Sequence, residues 1–157
     1  MNHELAIERI LDAPVTAIWQ AWRDHLEEWW CPLPWRTKLH ALELHAGGRF
    51  ATTMIGPEGE RHGGEGLILE AIPAQRVVFT NTLLPGWRPQ TGEPFPFVGI
   101  FEFTPEGAGT RYRAAARHWT ADDREKHRAM GFETGWLAVA EQLEAVARRI
   151  AGLPARA

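Results

Sequence analysis

Two hydrophobic periods divide this chain. Between Leu39 and Trp119, short runs of alternating apolar and polar residues are separated by turn residues, the pattern of strands and hairpins. From Thr120 to Ile150 the period lengthens. Phe132, Trp136, Val139, Ala140, Leu143, Val146, Ala147 and Ile150 recur at three- and four-residue steps and predict one long amphipathic helix. Thr120 suits its N-cap, with Asp123 three residues on as a capping box built from the shorter acid. Asp122, Asp123 and Glu125 suit the positive end of the helix dipole, Arg148 and Arg149 the negative end. Gly152 and Pro154 stop the helix.

Before the sheet region, Leu5 and Ile7 set against Glu4, Ala6 and Glu8 predict a strand over Glu4–Leu11. Pro14 suits a helix start, and Val15, Ile18, Trp19 and Trp22 carry that helix to Arg23. Asp24–Trp30 reads as a second short helix or a turn, broken by Cys31-Pro32-Leu33-Pro34. Strands follow over Thr37–Leu44, Gly48–Ile55, Glu65–Ala71, Arg76–Leu83, Phe97–Thr104 and Thr110–Trp119. Gly56–Gly64 reads as a polar hairpin loop and Leu84–Pro96 as a long loop rich in Pro and Gly. The order is strand, two short helices, six strands, long helix. It predicts an α+β fold in one domain, residues 1–157: a curved antiparallel sheet of about seven strands whose concave face the last helix covers.

In the last strand Tyr112, Ala114, Ala116 and His118 share one face, and Arg111, Arg113, Arg117 and Trp119 the other. The arginines mark solvent. The alanines leave room above the sheet, and Gly131 and Gly135 face this question from the helix side. They supply either cavity space or close helix–sheet packing.

Composition removes several function classes. A net charge of −3 over 157 residues gives no global case for nucleic acid or an anionic membrane. No apolar run reaches membrane-spanning length, and the start Met1-Asn2-His3-Glu4 has no signal-peptide pattern. The single cysteine, Cys31, excludes an internal disulfide framework and suits a reducing compartment, so the expected location is cytoplasmic. No glycine-rich phosphate loop joins a strand to a helix. Eight tryptophans stand against one tyrosine, and Trp19, Trp22, Trp29, Trp30 and Trp35 crowd one segment. Trp19 and Trp22 carry helical spacing and read as core; Trp29, Trp30 and Trp35 read equally as core or as an apolar pocket wall.

Candidate chemistry is sparse. His118 at a strand end is either a general acid or base or a histidine bonded to a backbone carbonyl. His40, His45 and His62 lack the spacing of a metal site, and no metal or cofactor is expected. Glu65 and Glu70 point to opposite faces, and Glu102 and Glu133 carry no partner pattern. Cys31 reads as a buried structural thiol. Trp87 and Phe95 make Leu84–Pro96 a candidate lid.

The run Ile7-Glu8-Arg9-Ile10-Leu11-Asp12-Ala13-Pro14 resembles the entry of the START-like, helix-grip superfamily. Trp29-Trp30, then Gly47-Gly48-Arg49-Phe50, then Gly66 to Thr80, and finally Gly131 to Trp136 with Leu143, are similar to its branch named after the activator of the 90-kDa heat-shock protein ATPase. The resemblance spans Glu4 to Ile150. It implies a sheet wrapped around a long C-terminal helix with a hydrophobic cavity between them. The first expectation is therefore binding of a small hydrophobic or aromatic, lipid-like or polyketide-like ligand. Its lining would be Trp29, Trp30, Trp35, Phe50, Thr52, Met54, Phe79, Trp87, Phe101, Phe103, Tyr112, Ala114, Ala116, His118, Met130, Phe132 and Gly135. A cyclase- or dehydratase-type enzyme using His118 or Tyr112, and a co-chaperone-like interaction module, are the alternatives. A homodimer suits such a domain, and nothing in the sequence locates its interface.

Overall fold

The structure, a computed structural model, describes residues 3–92 and 95–156. Strand β1 (Glu4–Leu11) is followed by helix α1 (Val15–Asp24) and a single 3-10 turn (Leu26–Glu28). The strands β2 (Arg36–Leu42), β3 (Arg49–Ile55), β4 (Arg61–Ile72) and β5 (Arg76–Thr80) come next. A two-residue hairpin, β6 (Leu83–Leu84) and β7 (Arg88–Pro89), precedes β8 (Phe97–Glu106) and β9 (Gly109–His118). Helices α2 (Ala121–Ala129) and α3 (Phe132–Ile150) end the chain. The seven long strands form one antiparallel sheet in the order β1-β9-β8-β5-β4-β3-β2, the helix-grip arrangement expected.

Three expectations are corrected. The segment after Thr120 is two helices, not one. Thr120 does cap the first, its hydroxyl accepting from Asp123 N at 3.1 Å. But Gly131 takes φ +92°, a left-handed conformation that interrupts the helix. The apolar stripe begins only at Phe132, and α2 has no fully buried residue. The second correction is the Gly56–Gly64 loop. The turn closes within Gly56–Glu60, Gly56 N bonding to Glu60 O at 2.8 Å. Gly63 and Gly64 then belong to β4, opposite Thr53 and Thr52. The third is Leu84–Pro96, whose first half folds into the β6–β7 hairpin.

The core lies between α1, α3 and the β1-β9-β8 side of the sheet. Ile18, Trp22 and Leu26 meet Phe101, Phe103, Tyr112 and Leu143, all fully or nearly fully buried. Each such side chain contributes roughly 1.5–3 kcal/mol by leaving water. Trp22 alone touches Trp29, Trp30 and Phe101 at centroid distances of 5.3, 5.5 and 5.0 Å. Helix α3 packs on β1, α1 and α2.

Candidate functional site

Aromatic side chains from the first turns of α3 pack onto the sheet. Trp136 stacks on Phe101 with centroids 5.6 Å apart and planes within 8°, and Phe132 lies 4.4 Å from Trp136. Ala114 and Ala116 are buried beneath this packing. Their small side chains admit aromatic rings from neighbouring strands and from α3.

An open cleft lies over β3, β4, β5 and the start of β8. It measures about 180 Å³ and is lined by Trp30, Phe50, Thr52, Met54, Gly64, Glu65, Gly66, Phe79, Asn81 and Phe97. Its construction follows from strand geometry. Phe50, Thr52 and Met54 alternate along β3 and share a face. Gly66 and Gly64 stand opposite Phe50 and Thr52 on β4, and directly opposed residues share a face. Gly64 leaves a hollow that a side chain would otherwise fill. Gly66 allows a close backbone approach, since a Cβ there would sit 2.2 Å from Thr80 O. Above Gly64 the space is open, with only Thr52 Oγ1 within reach at 3.9 Å.

The walls are aromatic rings in edge-to-face contact, a favoured geometry. Trp30 lies 5.2 Å from Phe50 and 6.0 Å from Phe79. Phe79 lies 5.1 Å from Phe50 and 5.6 Å from Phe97. Two of the polar lining residues are already engaged. Glu65 accepts from Arg49 Nε at 2.8 Å. Asn81 donates to Phe95 O and accepts from Phe97 N. The lining thus offers apolar contact with little charge.

Of the residues expected to line a site, Trp30, Phe50, Thr52, Met54 and Phe79 come together in this cleft. Trp35 stacks on His62, with planes 23° apart. Trp29, Phe101, Phe103, Tyr112, Ala114, Ala116 and Phe132 are buried in the core. Trp29 Nε1 donates to Ala21 O at 3.0 Å, the satisfied N–H of a core tryptophan. Gly135 faces Pro32 Cγ at 3.9 Å from where a Cβ would stand. Trp87 and Met130 are the exposed exceptions, at 58% and 71%. Trp87 packs on Gly47, whose added Cβ would meet Trp87 Cζ2 at 3.1 Å. Gly64, Glu65, Gly66, Asn81 and Phe97 are not among the expected lining residues. Phe97 had a visible signal, its alternation with Phe101 and Phe103; Gly64 was hidden by its loop-like surroundings.

The two catalytic candidates are closed off. His118 Nδ1 donates to His3 O at 2.9 Å, and its Nε2 lies 2.8 Å from His127 Nδ1. A carbonyl only accepts, so Nδ1 of neutral His118 carries the hydrogen and Nε2 accepts from His127. Both nitrogens are used. Burial, and then the nearby charge of His118 when protonated, push His127 down to about 4. Tyr112 is wholly buried, and burial pushes its hydroxyl up, away from proton transfer near neutrality. Burial likewise pushes the Cys31 thiol up, and its sulfur accepts from Thr37 Oγ1 at 3.1 Å. His40 bonds to Thr53, and His45 Nδ1 lies against Ala46 O. Among the described residues no group of three or more His, Cys, Asp or Glu side chains is placed to hold a metal.

A larger hollow of about 880 Å³ lies between β1, the second half of α3 and residues 152–156. Its charges are spent on each other: Arg9 on Glu141 at 3.1 Å, Arg148 on Asp12 at 2.8 Å and Arg156 on Glu144 at 3.0 Å. It mixes these ion pairs with aliphatic surface from Ile10, Leu11 and Leu153 and has no aromatic ring among its lining residues.

Comparison with known proteins agrees with this architecture. The structure superposes on a protein from Nitrosomonas europaea with a TM-score of 0.89 and 32% identity, covering 95% of this chain and 96% of that one. A protein from Mycobacterium smegmatis gives 0.77 and 27%, covering 92% and 90%. An AHSA1-like protein from Aeromonas hydrophila shares the fold, with 0.70 and 19% over 98% and 97%. No curated protein matches the chain in sequence. The sequence profile described as Activator of Hsp90 ATPase homolog 1-like protein matches residues 12–148, and with it the chain belongs to that family.

Proposed function

We propose that this protein binds a small hydrophobic or aromatic molecule in the cleft over β3, β4 and β5. The observation that carries the reading is the cleft's composition: aromatic walls from Trp30, Phe50, Phe79 and Phe97 around a glycine floor. A fold needing only a packed core would fill the hollow above Gly64. Apolar pockets with few polar groups are what small-molecule sites look like. A dry hollow of roughly 150 Å³ accommodates a benzene ring, so about 180 Å³ suits a one-ring group. An open mouth allows a longer tail to extend outward. The closed-off state of His118 and Tyr112 favours binding over turnover.

The test is an NMR titration with toluene, following backbone amides of β3 and β4. The wild type should show saturable shifts in those strands. Gly64→Val places a branched side chain in the open space, where strands accept one, and should weaken binding at least about tenfold, a loss of about 1.4 kcal/mol. Absence of saturable binding in the wild type would remove the proposal.

A further inference from the structure

We propose that Thr52 is the recognition contact of this cleft, and that the ligand is a flat apolar ring bearing one hydroxyl or carbonyl oxygen at its inner end. The inference rests on the cleft reading above and narrows its ligand class. Four threonines are buried: Thr37, Thr52, Thr80 and Thr110. Three of them spend their hydroxyls inside the protein. Thr37 donates to Cys31 Sγ at 3.1 Å, Thr80 to Phe97 O at 2.9 Å and Thr110 to Ala13 O at 2.8 Å. Even Thr53, on the opposite face of β3, is bonded to His40 at 2.8 Å. Thr52 is 8% exposed, and its hydroxyl has no such bond among the described residues.

Its position explains why. Thr52 Oγ1 stands 3.9 Å from the point where a Cβ on Gly64 would lie, over the open part of the floor. The group therefore faces the cleft. A hydroxyl held in such a place leaves hydrogen-bonding capacity unused until water or a ligand meets it. Glu65 and Asn81, the other polar lining residues, are bound to Arg49 and to the backbone of Phe95 and Phe97. Thr52 is thus the polar group left to read a ligand. A hydroxyl both donates and accepts, so it suits a phenol-type or a carbonyl oxygen equally. The discrimination expected is strong in one sense only. A site that bonds a ligand hydroxyl rejects an analogue lacking it more sharply than an apolar wall rejects an extra methylene.

Phenol and toluene, alike in shape, make the test. Their affinities for wild type, Thr52→Val and Thr52→Ser are measured by NMR titration. Thr52→Val keeps the branched shape and removes the hydroxyl. It should weaken phenol about fivefold, one hydrogen bond's worth, and change toluene by less than about twofold. Thr52→Ser should keep phenol near its wild-type affinity. If Thr52→Val changes phenol and toluene alike, or leaves phenol unchanged, Thr52 is not the contact, while binding of toluene upholds the cleft. If neither compound binds the wild type, the cleft reading falls and this inference with it.

Discussion

At the scale of single residues, the glycines of β4 differ more than their shared spelling suggests. Gly66 cannot bear a side chain, because its Cβ would lie 2.2 Å from Thr80 O, a backbone atom. Gly64 can, since its surroundings are open. Gly66→Ala should therefore destabilise by about 1–3 kcal/mol, the usual cost of forcing atoms into packed space. Gly64→Ala should be neutral or stabilise by roughly 0.5 kcal/mol, because glycine weakens a strand. Urea unfolding of both variants measures this, and equal costs would contradict the distinction. The sequence showed the need for glycine at neither position. Alternation along β3 placed Phe50, Thr52 and Met54 on one face correctly. The opposing surface was missed because Gly63 and Gly64 continue a glycine-rich, polar stretch that scores as loop, and only pairing with Thr53 and Thr52 makes them strand.

At the scale of elements, α2 is the least anchored piece of regular structure. Its residues Ala121–Ala129 include none that is fully buried. Its main attachment is His127, whose ring lies 4.9 Å from Phe95, 5.4 Å from Phe97 and 5.1 Å from Phe132. β9 adds the bond to His118, and α3 adds Trp136 at 6.0 Å. The box is apolar apart from His118, so a charged imidazolium is unwelcome. With His127 held near 4 rather than 6.5, the folded protein refuses a proton that the unfolded chain accepts. Stability from this residue is complete above about 6.5, falls as the pH drops below it, and levels off near 4. Hydrogen exchange should show α2 amides losing protection between pH 6.5 and 5, before those of α3. His127→Phe, which keeps an aromatic ring in the box, should flatten that decline, and an unchanged pH profile would show that α2 is held otherwise. The break between α2 and α3 was legible in part. The absence of an apolar stripe before Phe132 marks it, whereas the strong cap at Thr120 and the acidic first turn argue for one continuous helix. Gly131 decides the matter by adopting a left-handed conformation.

At the scale of the whole molecule, the element order and the antiparallel sheet were readable because each strand carries its own period and turn signals. The cleft's location was not, because it depends on which rings pack under α3. Trp136 and Phe132 carry helical spacing that identifies an inward face, but spacing does not reveal that Trp136 stacks on Phe101 with Phe132 packed against it. The same helix also ties the chain's distant parts together through two charged residues in its apolar stripe. Glu144 and Arg148 are four apart and so share a face. Both are buried, at 7% and 9% exposure. Glu144 Oε2 accepts from Asp12 N at 2.7 Å, and Arg148 Nη1 donates to Asp12 O at 2.7 Å. The turn between β1 and α1 is thus gripped on both sides of one residue. Arg148 also donates through Nε and Nη2 to Pro154 O, at 3.1 and 2.7 Å, fastening the segment after α3. Removing the guanidinium takes three charged hydrogen bonds from the carbonyls of Asp12 and Pro154, while the Asp12 carboxylate, largely exposed, returns to water. Arg148→Leu should cost about 2 kcal/mol, the range for hydrogen bonds to a charged group. Arg9→Leu breaks only an exposed pair with Glu141 and should cost less than about 1 kcal/mol. Urea denaturation resolves the two. Raising the salt concentration should narrow the Arg9 effect by screening and leave most of the Arg148 effect, whereas equal costs with equal salt dependence would mean that α3 holds β1 by its apolar stripe alone.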